Sequence, residues 1–367
     1  MHRKHVYGPV PSRRFGLSLG VDVVPSKVCT LDCIYCQVGP TSKLSVTREL
    51  FFPPEEIAHD ILQAIQQGPV PNIITFAGSG EPTLYSGLGD IVRLLRTKTS
   101  IPLLLITNGT LLHRPDVAAD AMLFDRVAPS LDAADSHTFA TINQPHPDLN
   151  LKEIIHGLHS FAAAFKGELD LELFFLQGVN DSPESVAALV QAVDYIAPSR
   201  VDLNTAVRPS PQRCVQRTSP EFFASLLGRF SVPANSVLPP LPSSDQSDAP
   251  HSPTKQSPLP TSGNPDRNVA SSYRPGDKGP QCATPLSPEA TGHNASAAHD
   301  DQSAQTRILL TLERRPCTAQ DLALALGLPL RNVETSLASL LSHDRIASEV
   351  RQNQTYFFGN HDDDQPE

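Results

Sequence analysis

Cys29-Thr-Leu-Asp-Cys33-Ile-Tyr-Cys36 gathers three cysteines into eight residues, bracketed by Pro25 and Gly39. Three thiolates at this spacing can each take one iron of a cubane iron–sulfur cluster and leave the fourth iron without a protein ligand. An open iron is a place for a small molecule. The competing reading is a zinc site completed by a histidine or a distant cysteine, although structural zinc takes four ligands, usually two pairs. Cys214, Cys282 and Cys317 show no second CxxC spacing. They suggest neither a second cluster nor a disulfide scaffold, and so sparse a cysteine content suits a reducing compartment.

Outward from this loop, apolar β-rich runs alternate with segments of helical period. Residues 18–24 (SLGVDVV), 72–78 (NIITFAG), 102–107 (PLLLIT), 124–132 (FDRVAPSLD), 170–176 (DLELFFL) and 200–205 (RVDLNT) read as strands. Residues 53–67, 87–98, 149–165 and 182–196 read as helices between them. Short βα connections with right-handed crossovers force a parallel sheet, so the expectation is an α/β fold, a partial (β/α)6 barrel, with a doubly wound open sheet as the alternative. In both architectures ligands sit at the carboxyl ends of the strands.

The barrel is expected over residues 1–231. From 232 to 305 the text turns Pro- and Ser-rich, with roughly a third of the 35 prolines and almost no apolar periodicity, the composition of a disordered linker. Residues 306–360 read as helices followed by a β-rich ending, with Gly327 closing one helix and Pro329 opening the next. That pattern suggests a small winged-helix-like domain.

The formal charge of −10 argues against nucleic-acid binding through net charge. No apolar run is long enough to span a bilayer and no targeting segment stands out, so a cytoplasmic protein with no membrane partner is expected.

CxxxCxxC with the aromatic Tyr35 before its last cysteine resembles the signature of the radical S-adenosylmethionine (SAM) superfamily. The segment Ala77-Gly78-Ser79-Gly80-Glu81-Pro82-Thr83, at the end of the second strand, is similar to that family's GGEP motif, with Ser79 between the glycines. The resemblance implies a 4Fe-4S cluster on Cys29, Cys33 and Cys36, SAM chelated at the open iron, and an oxidoreductase that uses a low-potential electron donor such as flavodoxin or ferredoxin. It also implies SAM-facing roles for Tyr35, Gly78, Ser79, Gly80 and Glu81, whose carboxylate would accept from the methionine ammonium. Further SAM contacts are implied at Asn108 in Thr107-Asn108-Gly109, Ser130 and Asp132 in Ser130-Leu131-Asp132, and Asn180 and Asn204 on the adenine side.

With YGPVPSRRFGLSLGVDVVP, ITNGTLL and APSLDAADSHTFATINQPHP added, the chain resembles the group related to wybutosine-synthesis-type Fe-S oxidoreductases, including members with a C-terminal winged helix. The expectation is reductive cleavage of SAM to a 5′-deoxyadenosyl radical and hydrogen abstraction from an unassigned substrate, RNA or protein among the choices. Two alternatives stay open: an iron–sulfur sensor that regulates DNA through the winged helix, and a tRNA-modifying enzyme of the wybutosine type.

Overall fold

The computed structural model describes residues 5–12, 14–206, 215–236, 304–309, 311–312, 316–351 and 354–359. Arg13, Cys214, Cys282 and almost all of the expected linker lie outside these.

The six expected strands form, in sequence order, β2 (Gly16–Val21), β5 (Ile73–Phe76), β6 (Leu103–Thr107), β7 (Arg126–Pro129), β8 (Glu168–Phe175) and β9 (Arg200–Thr205). They are parallel neighbours in that order, as right-handed βαβ crossovers require. The sheet gains two edges that the sequence did not announce. β1 (Val6–Ser12) pairs antiparallel with β2, and β10 (Ala234–Ser236) pairs parallel with β9, just past the expected barrel boundary at 231. β1 carries Pro9 and Pro11. A proline cannot donate to the ladder, which is tolerable because β1 has only one neighbour.

Helices α1 (Pro54–Gln67), α2 (Leu88–Arg96), α5 (Leu151–Ala164) and α6 (Pro183–Ile196) cover the sheet where helical period is expected. Each begins for a local reason. Pro54 sits in the first turn of α1 ahead of Glu55 and Glu56, whose charge suits the positive helix end. The Asn150 side chain accepts from the Lys152 and Glu153 amides at the start of α5, and Ser182 accepts from the Ser185 amide at the start of α6. Ile57 and Ile61 of α1, Leu158 and Phe161 of α5, and Val193 of α6 are buried in the main core with Leu169, Leu171 and Leu173 of β8. Full burial of each such side chain contributes about 2 kcal/mol. Two shorter helices, α3 (Pro115–Ala121) and α4 (Ser136–Ile142), complete the connections on either side of β7.

Residues that alternate with the β8 leucines point the other way. Asp170 and Glu172 meet Arg126 of β7, Arg200 of β9 and Arg14, which precedes β2. Arg126 Nη2 lies 2.7 Å from Asp170 Oδ2, and Arg14 Nη1 lies 2.9 Å from Glu172 and 3.1 Å from Asp202. All three guanidinium carbons lie 5.2 to 5.8 Å from the centre of the Phe15 ring. Arg126 and Arg200 open their strands, so this ionic layer closes the amino end of the sheet and leaves the carboxyl end for ligands. Burial works against the charge on Arg14, but Glu172 and Asp202 outweigh it and raise its pKa.

Past residue 303 the described chain has helical residues 304–309, helices Ala319–Leu326 and Leu330–Ser342, and a hairpin of β11 (Ile346–Arg351) and β12 (Gln354–Gly359). Gly327 ends the first named helix in the left-handed region, φ 63°, which glycine takes without strain. Ile308, Leu312, Cys317, Leu322, Leu326, Val333, Leu337, Leu340 and Ile346 form a second buried cluster, and Val10 of β1 belongs to it. No helix among the described residues is long and apolar enough to cross a membrane.

Candidate cluster and SAM site

The cysteine loop is held in shape by its backbone before any ligand enters. β3 (Val28–Cys29) pairs with β4 (Lys43–Leu44), so the two ends of the loop are clamped side by side. The amides of Ser42 and Lys43 donate to the Lys27 carbonyl, and Ser45 N donates to the Cys29 carbonyl at 2.9 Å. Inside the loop the Thr41 amide donates to Asp32 Oδ1 at 2.7 Å, Cys36 N donates to Cys33 O, and Gly39 N donates to Cys36 O. Gly39, at φ 95°, makes the turn that brings the chain back.

Each cysteine sulfur faces one side-chain N–H donor. Lys27 Nζ lies 3.1 Å from Cys36 Sγ, Asn143 Nδ2 3.3 Å from Cys33 Sγ, and Asn108 Nδ2 3.6 Å from Cys29 Sγ. Burial, followed by the charge of Glu81, pushes the Cys29 thiol up to about 12. Burial and then Asp132 raise Cys33 well above an ordinary thiol. Cys29, Cys33 and Cys36 also feel one another's charge. Among the described residues no three His, Cys, Asp or Glu groups converge tightly enough for one metal ion. Three sulfurs on one clamped loop, each with its own N–H donor, suit a cluster that takes one protein ligand per iron.

Behind the loop, the Gly78-Ser79-Gly80-Glu81 turn leaves no room for a side chain at either glycine. A Cβ on Gly80 would lie 2.1 Å from the Val28 carbonyl oxygen, and one on Gly78 would lie 2.1 Å from Asp22 Oδ1. Ser79 Oγ donates to Asp22 Oδ2 at 2.7 Å, and the Ser79 carbonyl accepts from the Lys27 amide at 2.7 Å. Glu81 is buried and accepts four internal hydrogen bonds: from Thr83 N and Oγ1, from Thr107 Oγ1 at 2.6 Å, and from Asn108 N at 2.8 Å. Its carboxylate ties the end of β5 to the end of β6, a task the sequence did not suggest for it.

Asp132, just past β7, is the hub of the next layer. Its Oδ2 accepts from Tyr35 O–H at 2.5 Å and from Asn143 Nδ2 at 2.7 Å, and its Oδ1 accepts from the Phe174 amide. The Tyr35 ring stacks on Phe174 with centres 4.0 Å apart. Asn180 is fully buried, donates to the Asp132 and Phe174 carbonyls, and accepts from the Leu176 amide. Its amide is thus committed to joining strand ends. Asn204 on β9 sits in register with Phe174, and its Oδ1 accepts from the Thr205 amide.

Asn108, Ser130, Asp132 and Asn143 line one small cavity with Leu31, Thr110 and Phe139. Asn143 Oδ1 is buried there without a hydrogen-bond partner among the described residues.

Cys29, Cys33, Cys36, Tyr35, Asn108 and Asp132 are thus joined in one connected network, and Gly78, Ser79, Gly80 and Glu81 support it from behind. Asn204 touches it through the strand pairing alone. Lys27 and Asn143 belong to the network and escaped the sequence reading. Asn143 begins the Asn-Gln-Pro-His loop, where proline marks a fixed shape but nothing indicates that the asparagine turns inward. His156 and His159, three apart on α5, make no metal face: their Nδ1 atoms meet the Tyr195 hydroxyl and carbonyl at 2.8 and 2.6 Å.

Burial, only partly offset by the Tyr35 and Asn143 hydrogen bonds, raises Asp132 to about 6. A carboxyl whose folded pKa lies above its unfolded value of 3.8 contributes stability below that value, and the contribution is lost as pH rises through 6. Denaturant unfolding of the metal-free protein between pH 4 and 7.5 is expected to show this loss, and Asp132→Asn is expected to flatten it; an unchanged profile in the variant would locate the titration elsewhere.

A sequence profile of the radical SAM superfamily matches residues 23–190, from just ahead of the cysteine loop into α6. A UPF0026 protein of Methanocaldococcus jannaschii is 36% identical over 229 residues, which make up 61% of this chain and 70% of that protein. The chain belongs to the UPF0026 family and carries a radical SAM domain. A protein of Brachyspira hyodysenteriae named GTPase Obg is 41% identical over 205 residues, 56% of this chain and 30% of that one. The chain therefore spans less than a third of the length of that relative. Among solved structures, TYW1 with a lysine-pyruvate adduct bound is similar over 57% of this chain and 71% of that one, at 16% identity and a TM-score of 0.45. Members of the radical SAM superfamily are enzymes, and the matched span contains the cysteine loop built above.

Proposed function

We propose that this UPF0026 protein holds a 4Fe-4S cluster on Cys29, Cys33 and Cys36 and, with an electron from a low-potential donor such as flavodoxin or ferredoxin, cleaves SAM to methionine and a 5′-deoxyadenosyl radical. The radical takes hydrogen from a substrate, which makes the protein an oxidoreductase in the broad sense. The observation that carries this reading is the set of three mutually sensing cysteines, each with its own N–H donor, on a clamped loop at the carboxyl end of a parallel sheet. When bound, the cluster supplies the electron that breaks the sulfur–C5′ bond.

The protein's own residues orient and exclude. The Gly78-Ser79-Gly80 turn offers backbone groups to the amino-acid end of SAM, and Glu81 keeps that turn fixed rather than meeting the ligand itself. Ser130, Asp132 and the spare Asn143 carbonyl in the cavity suit the ribose hydroxyls, Asp132 and Asn143 as acceptors. Tyr35 and Phe174, stacked, screen the reacting region from water, the condition a reactive radical needs. Asn180 and Asn204 act on the adenine side by fixing the strand ends. The last helices and the hairpin form a winged-helix domain that presents a partner or substrate to the barrel, and the Pro-rich stretch is its linker.

Anaerobically reconstituted protein given dithionite and SAM is expected to release 5′-deoxyadenosine and methionine in equal amounts without added substrate, read by liquid chromatography. Cluster-loaded protein that reduces but leaves SAM intact would sink the enzyme reading and favour a sensor.

A further inference from the structure

Of the three donors that face the cysteine sulfurs, two are neutral amides and one is a charged ammonium. Lys27 Nζ lies 3.1 Å from Cys36 Sγ, and its charge also acts on Cys29. The backbone of Lys27 stands at φ 62°, in the left-handed region that a residue with a Cβ rarely takes. Glycine would fit that position with less strain. The conformation is pinned from both sides: Lys27 N donates to the Ser79 carbonyl, and its own carbonyl accepts from Ser42 and Lys43. The same bonds that force the left-handed turn aim the side chain over the cysteine loop. A disfavoured backbone occupied by a long cationic side chain on a ligand sulfur marks a functional position rather than a convenient turn.

We propose that Lys27 tunes the reduction potential of the cluster bound by Cys29, Cys33 and Cys36, its ammonium stabilising the reduced form. The inference rests on the cluster reading above. Reduction adds one electron, supplied by an external low-potential reductant, to a centre already made negative by three thiolates; no bond forms or breaks and no proton moves. A fixed positive charge at hydrogen-bond distance from one sulfur favours the extra electron. Asn108 and Asn143 donate dipoles only, so their effect is smaller and in the same direction. Lys27 acts through Cys36 and is a positioning residue, not a catalytic one.

The test is an EPR-monitored redox titration of the reconstituted full chain without SAM, with iron counted in every sample. Lys27→Gly removes the charge and relaxes the backbone, so the loop should keep its shape. Its ratio of reduced to oxidised cluster at a fixed poise is expected to fall about tenfold, a midpoint about 59 mV more negative for one electron. Lys27→Arg keeps the charge and is expected to restore the midpoint most of the way. Wild-type midpoint in an iron-loaded Lys27→Gly protein would overturn the proposal. So would loss of iron from that variant, which would make Lys27 a residue of assembly, or an arginine variant that behaves like the glycine one. Absence of iron from the wild-type protein would instead refute the cluster reading itself.

Discussion

Alanine at Cys29, Cys33 and Cys36 together is expected to reduce iron and sulfide in anaerobically reconstituted protein from about four of each to none, and SAM cleavage to background. The effect is all or nothing because the proposed cluster has no protein ligand besides these three sulfurs. Folding should be little affected. The three cysteines are only partly buried by area, Cys29 and Cys33 pack at the margin of the main core, and the loop is clamped by β3, β4 and the Asp32 turn whether or not the sulfurs are present. Cys317→Ala is the control. It sits in the second buried cluster, so the change costs some stability but no iron. Iron retained by the triple variant, or lost from the Cys317 variant, would move the cluster elsewhere.

Glu81→Ala is expected to give the largest loss of stability among the site residues. The change leaves the Thr107 hydroxyl, the Asn108 amide and both Thr83 donors without their acceptor in a buried place. Each orphaned donor costs about 1–3 kcal/mol, partly recovered by relaxation, so the total comes to about 3–5 kcal/mol. For a chain of this size that corresponds to a fall in melting temperature of about 4–7 °C. Glu81→Gln keeps the shape and most of the acceptor capacity and is expected to lose far less. Thermal unfolding followed by circular dichroism separates the two; equal stability of Glu81→Ala and wild type would show that the carboxylate faces a ligand instead of tying β5 to β6.

Strand order and the cysteine loop were readable because their signals are local: a period of two, a period of 3.6, and three cysteines at fixed spacing. The two sheet edges were not. β1 is disguised by Pro9 and Pro11, which weaken a strand pattern everywhere except at an edge, and β10 is three residues long. Site residues divide in the same way. Tyr35, Asn108 and Asp132 stand at strand ends or beside the cysteines, where position alone points inward. Glu81 is legible as a residue of the turn after β5, but its internal partners are not, since nothing in the sequence says that Thr83, Thr107 and Asn108 converge on one carboxylate. Lys27 and Asn143 reach the sulfurs by a left-handed turn and by a contact 110 residues apart in sequence, neither of which leaves a periodic trace.

Val10, in the first strand, shares its buried cluster with Ile308, Leu322 and Val333, made some 300 residues later. On the ribosome, the sheet from β2 to β9 has all its partners and can close around the cysteine loop while β1 still shows its outer side chains to water. That edge is finished only when the last helices emerge, so contacts of very long range come last and are slow to form. A chain released early by a nonsense codon in the Pro-rich stretch would own a complete cysteine loop and an uncovered first strand. Such a product would leave Val10 without the apolar partners that bury it in the full chain.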